Sequence, residues 1–165
     1  MLPLESLFQA LNEGGGRYVL VGGLAVVLHG HLRATGDVDL VVDLAPDEVH
    51  RTLTALEQAG FRPYVPVSAW EFADPAKRAE WIRDKAMLVF SLQPRQGVPL
   101  VDLFLEPPLP FERLWSGSVI VTMRGVPVRV AGMDDLIELK RRAGRPEDLA
   151  DVEALTALKL MRGEQ

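Results

Sequence analysis

Residues 17–21, Arg-Tyr-Val-Leu-Val, form a short run of β-formers that stops at Gly22-Gly23 and resumes as an apolar segment at 24–28. So short and apolar a run has no polar face to offer water, which predicts a buried strand. The glycine pair then turns the chain straight from strand into helix. The whole apolar stretch, 18–28, is about half a membrane span and is broken by the glycines, so no transmembrane helix is expected. Residues 1–12 carry Glu5 and no basic cluster before an apolar run, and do not read as a secretory signal. With no cysteine there is no disulfide framework and no thiolate nucleophile or metal site. We therefore expect a cytoplasmic location and no membrane partner.

Around this strand the sequence predicts one domain over 1–165, an α+β mixed sheet flanked by helices. Leu4, Leu7, Phe8 and Leu11 sit at helical spacing until Gly14-Gly15-Gly16 ends the helix, so 1–16 is an N-terminal helix and glycine linker. The alternation at 37–42 reads as a second strand. Pro46 opens a helix buried through Val49, Leu53 and Leu56. Residues 61–72, broken by Pro63 and Pro66, are expected to be irregular with short strand pieces, followed by a short helix at 76–82. Strands are expected at 86–92 and 100–105, and a hairpin pairs 118–123 with 126–131 around Arg124-Gly125. A helical pair closes the chain over 133–165. Its first helix has Asp134 and Asp135 at the start and Lys140, Arg141 and Arg142 at the end, matching the helix dipole, with Gly144 as C-cap.

Three features point to chemistry. Gly22-Gly23 at a strand-to-helix junction lets a phosphate approach bare backbone, although a tight turn or close packing needs the same residues. Asp37 and Asp39 lie two apart on a strand and project from one face, while Val38 and Leu40 point into the core. Two such charges ~4 Å apart repel by about 4 kcal/mol at an effective dielectric of ~20, so solvent, an arginine or a divalent cation must offset them. Asp102 interrupts the apolar run 100–105, where a carboxylate needs a partner, a metal or an edge position facing water. Together a phosphate cradle and three carboxylates are the parts of two-metal phosphoryl transfer.

The segments Val-Leu-Val-Gly-Gly-Leu-Ala at 19–25 and Arg-Ala-Thr-Gly-Asp-Val-Asp-Leu at 33–40 resemble the signature of the DNA-polymerase-β-type nucleotidyltransferase superfamily. The resemblance is closest to the minimal nucleotidyltransferases, including their AbiEii toxin-like and lincosamide-modifying branches. Asp-Asp-Leu-Ile-Glu-Leu-Lys at 134–140 and Ala-Gly-Arg-Pro-Glu-Asp-Leu-Ala-Asp at 143–151 resemble the helical segment of that group. The resemblance implies a polymerase-β palm-like sheet with C-terminal helices and NMP transfer from a nucleoside triphosphate, such as ATP, to a hydroxyl acceptor. It implies Asp37, Asp39 and Asp102 as catalytic ligands of two Mg²⁺ ions, with Mn²⁺ as a substitute, and Asp102 as the residue that helps deprotonate the acceptor. It gives Gly22 and Gly23 to the triphosphate, and Arg33 and Lys140 to phosphate or pyrophosphate, where salt bridging is the competing role.

The long C-terminal extension of larger toxin-like relatives is expected to be missing, which leaves the acceptor half reduced or supplied by a second subunit, as a homo-oligomer or with a protein partner. The same features leave open a non-catalytic binding module of a toxin–antitoxin pair and, less well matched, a sugar transferase with an Asp-x-Asp metal site. A net charge of −5 excludes a phosphate-binding field over the whole surface. Nucleic-acid contact would need a local patch, drawn from Arg78, Arg83, Lys85, Lys140, Arg141 and Arg142. His29 and His31 are candidates for substrate contact or for a helix-end cap. Trp70, Trp81 and Trp115 are read as core rather than as stacking platforms.

Overall fold

The structure, a computed structural model, describes residues 3–163. Met1, Leu2, Glu164 and Gln165, the ends of the expected domain and helical pair, lie outside the described residues. Helix α1 (Pro3–Gly14) buries Leu7, Phe8 and Leu11 and is followed by a glycine of positive φ, Gly15. Strand β1 (Tyr18–Val21) is buried along its whole length and runs into α2 (Gly22–Leu28) without a loop. The next elements are β2 (Asp37–Val42), α3 (Pro46–Gln58), β3 (Arg62–Pro63), a 3-10 turn at Ala69–Ala73, α4 (Pro75–Lys85), β4 (Val89–Gln93) and β5 (Leu100–Phe104). They are followed by α5 (Phe111–Gly117), β6 (Val119–Met123), β7 (Val126–Val130), α6 (Met133–Ala143) and α7 (Pro146–Met161).

The strands form one sheet in the order β3-β4-β5-β2-β1-β7-β6. β2 lies parallel to β5 and β1 parallel to β7, while the other neighbours are antiparallel. This is the expected α+β mixed sheet flanked by helices. Val19, Leu20, Leu40, Val101 and Leu103 are fully buried at its centre. The β6–β7 hairpin turns at Arg124 and Gly125, both of positive φ, as a two-residue turn requires.

Three local expectations are corrected. Strand β4 begins at Val89 rather than 86, because Ala86 adopts a left-handed conformation that caps a longer α4. That helix starts at Pro75, where the Asp74 side chain accepts from the Ala76 N–H at 2.8 Å. Helix α5 was not expected from prolines 107, 108 and 110, but Pro110 supplies its N-terminal boundary and Leu114 anchors it in the core. No helix among the described residues is long and apolar enough to cross a membrane.

Candidate functional site

The site grows from the pairing of β2 with β5. Their register sets Asp39 beside Asp102 and Asp37 beside Leu100. Residues opposite one another in a ladder share a face, so all three aspartates stand on the same side of the sheet. The row continues outward: Ser91 on β4 opposes Asp102 and donates its hydroxyl to Asp102 Oδ1 at 2.5 Å, and the Tyr64 N–H donates to the Ser91 carbonyl at 2.9 Å. Val38 and Leu40 fill the opposite face and are fully buried, as the alternation predicts.

Electrostatics at this row are unfavourable for a bare protein. Burial, then Asp102 and Asp37, push the Asp39 carboxyl up to about 6, against the through-space pull of Lys140 and Arg145. Asp102 is also raised, by burial and by Asp37, in opposition to the Ser91 hydrogen bond. No ion pair forms to any of the three among the described residues; the neighbouring cations bind Asp148 and Asp151 instead. Hard, clustered, unpaired oxygens suit a magnesium-like cation. The expected three-carboxylate metal set is nevertheless not drawn into a closed cage, and no group of three His, Asp or Glu side chains among the described residues is spaced to enclose a metal. Asp102 Oδ1 is instead engaged by the Ser91 hydroxyl.

The glycines have specific local duties. Gly22 has φ +74°, and a Cβ there would overlap the Asp39 carboxylate, with its Cγ at 2.8 Å. A Cβ on Gly23 would meet Thr35 Oγ1 at 2.7 Å and the Arg33 guanidinium at 3.1 Å. The bare backbone is thus covered on one side by the Asp39 carboxylate and on the other by an arginine.

Arg33 and Lys140 belong to a buried ion network. Asp151 on α7 receives Arg33 Nη2 at 3.0 Å and Lys140 Nζ at 2.9 Å; the Arg33 Nε lies 2.8 Å from Oδ1 but is poorly aligned for a hydrogen bond. Asp148 receives Lys140 at 3.3 Å and Arg145 at 2.8 Å. Burial opposes the charge on both carboxylates, yet these cations outweigh it and hold their pKa values below the ordinary range. A cavity of about 700 Å³ runs between the network and the sheet, touching Gly22, Gly23, Arg33, Asp37, Asp39 and Lys140 but not Asp102.

Other candidates fall elsewhere. His29 is buried, with Nε2 2.7 Å from the Ala131 carbonyl, and lies outside the cavity. Arg78 and Lys140 are buried, so of the six residues from which a basic patch could be drawn these two offer no surface charge. Trp81 is core, stacked on Phe90, whereas Trp70 is 37% exposed beside His50 and Trp115 packs under Arg129. Ser91 and Thr35 are the site residues that sequence reasoning missed. The β4–β5 register places Ser91, and the loop before β2 brings Thr35 against Gly23.

A lincosamide antibiotic adenylyltransferase, LnuA, solved with lincomycin bound, matches with a TM-score of 0.60 and 15% identity over 94% of this chain and 96% of that one. The fold is that of the nucleotidyltransferases. ANT(2'')-Ia, solved with adenylyl-2''-tobramycin, gives 0.60 and 15% over 97% of this chain and 92% of its own. A nucleotidyltransferase-like antigenic protein from Paracoccidioides brasiliensis gives 0.58 and 17% over 95% and 73%. No family model and no curated protein matches the chain. At these identities the likeness to the nucleotidyltransferases concerns the fold.

Proposed function

We propose that the chain transfers a nucleoside monophosphate from a nucleoside triphosphate to a hydroxyl acceptor, releasing pyrophosphate. The observation that carries this reading is the in-register placement of Asp39 beside Asp102 on parallel strands, with Asp37 on the same face at the mouth of a cavity. Mg²⁺, or Mn²⁺ in its place, held by Asp37, Asp39 and Asp102, would acidify the acceptor hydroxyl and neutralise the triphosphate. The acceptor oxygen forms a bond to the α-phosphorus as the bond to the bridging oxygen breaks, and pyrophosphate leaves with that electron pair. Asp102, oriented by Ser91, takes the hydroxyl proton. Gly22 and Gly23 offer backbone to the triphosphate once Arg33 turns toward it, and Lys140 faces the same cavity from α6.

Phe104 and Pro108 border both this cavity and a second, more apolar one of about 340 Å³ walled by Ile82, Met87 and Leu88. Phe104 lies two residues from Asp102 on the same face, which supports assigning the acceptor to that side. The named antibiotic-modifying neighbours make a small hydroxyl compound the first acceptor class to try. Assignment to the AbiEii toxin-like branch is supported by the segments at 134–140 and 143–151, whose Lys140, Arg145, Asp148 and Asp151 form the ion network.

The test is incubation with α-labelled nucleoside triphosphates, magnesium and cell extract or candidate acceptors. Label is expected to move to an acceptor, and the Asp37→Ala, Asp39→Ala double variant should abolish transfer. Failure of any triphosphate to label a product or to stabilise the protein with magnesium would overturn the reading. A tight complex with a protein partner and no turnover would favour a binding module of a toxin–antitoxin pair.

A further inference from the structure

The two edges of the sheet are built differently. β3, at one edge, is two residues long and contains Pro63, a combination that blunts pairing with another chain. β6, at the other, is a full five-residue strand that among the described residues pairs only with β7, with no proline and no charge from Ser118 to Met123. Val119 is 43% and Ile120 54% exposed along it. Such an edge is a template for another strand.

The hairpin register shows which strand fits. Met123 and Val126 close a two-residue turn, so this pair, and with it Val121–Val128 and Val119–Val130, exchanges the backbone hydrogen bonds of the hairpin. Ile120 and Thr122 therefore direct their N–H and C=O groups away from β7. A second β6 running antiparallel about a two-fold axis at Val121 satisfies both. Ile120 then exchanges two hydrogen bonds with Thr122 of the other copy, and Thr122 does the same with its Ile120. Val121 meets its own counterpart in a non-hydrogen-bonded pair, where side chains are closest. Val119 meets Met123, extending the apolar face that already packs on the core through Val121 and Met123. The strand is thus complementary to itself, as a two-fold interface demands.

We propose that β6 is a homodimer interface, at which two copies join edge to edge into one continuous sheet with Val121 on the axis. A strand ~17 Å long buries less than the ~1,200 Å² of a standard stable interface, so association is concentration-dependent.

The chain has no cysteine, which allows a register-specific test on the full-length protein. In Val121→Cys the two thiols face each other across a non-hydrogen-bonded pair with Cα atoms ~4.5 Å apart, within disulfide reach. In Ile120→Cys they are offset by two residues and lie beyond it. Mild oxidation is expected to cross-link Val121→Cys at least tenfold faster than Ile120→Cys. Sedimentation of the unmodified chain should show a monomer–dimer equilibrium that Ile120→Lys, at a half-exposed position, shifts to monomer without lowering its melting temperature. Equal cross-linking of the two cysteine variants, or a monomer at every concentration up to submillimolar, would overturn the proposal. Neither measurement depends on nucleotide transfer.

Discussion

Asp39 is the aspartate of the row that burial and its acidic neighbours perturb most. Its carboxyl titrates at about 6 in the folded chain because it is buried beside Asp102 and Asp37, whereas in the unfolded chain it titrates near ~4. Between those pH values the folded state keeps a proton that the unfolded state has released, so stability falls as pH rises through this window, by up to ~3 kcal/mol. Asp39→Asn imitates the protonated form. We expect it to melt above the wild type at pH 8 and level with it near pH 4, in thermal unfolding without divalent cations. A lower melting point at pH 8 would show that the carboxylate is not desolvated. Gly22 belongs to the same small constellation. Gly22→Ala combines a positive φ with an overlap onto the Asp39 carboxylate, and should cost about 2 kcal/mol or more in urea unfolding. The double variant Gly22→Ala, Asp39→Gly should recover part of that loss, because only the overlap is relieved.

Among the elements, α6, α7 and the 33–36 loop are joined by charge as much as by apolar contact. Asp151 has 1% side-chain exposure and holds two cations, Arg33 from the loop and Lys140 from α6. Asp151→Ala leaves both without their partner in a buried setting and should cost ~3–5 kcal/mol. Arg145, with a side chain 65% exposed, should cost no more than ~1 kcal/mol on replacement by alanine, since water screens and replaces its contacts. Chemical denaturation of the two variants checks the contrast; equal losses would mean that the network is not a buried one. The sequence showed every member of this network but not its connections. Lys140, Asp148 and Asp151 share neighbouring helices and follow helical spacing, whereas Arg33 is more than a hundred residues away and reaches Asp151 only through the fold. The same limit hid Ser91. A serine in an apolar strand carries no signal until β4 is laid beside β5. Conversely, Asp37-Val-Asp39 was legible because strand alternation alone sorts its side chains onto two faces, and Asp102 because a charge inside an apolar strand needs a local cause. The helix α5 was obscured by prolines that break one element and open the next.

At the scale of the whole molecule, the sheet order places Asp39 and Asp102 half-buried on interior strands, with Asp37 exposed at the start of β2. β1, β2 and β5 are interior strands whose alternate residues are fully buried, whereas β3 and β6 are edges. The carboxylates are therefore carried by interior strands, while Arg33, Thr35 and Gly36 approach from a loop that lines the cavity. Strands hydrogen-bonded on both sides open rarely, whereas a loop outside the sheet has fewer backbone hydrogen bonds to hold it. Amide exchange followed by mass spectrometry tests this division. Without ligand, β1, β2 and β5 should exchange only through global unfolding, and residues 31–36 should exchange fastest among the segments around the cavity. Adding a nucleoside triphosphate with magnesium should slow exchange at residues 22–23 and 31–39, and leave β3 unchanged. Protection that instead appeared around Ile82, Met87 and Leu88 without any change at 22–23 would put the nucleotide in the smaller cavity. That outcome would exchange the places assigned to nucleotide and acceptor.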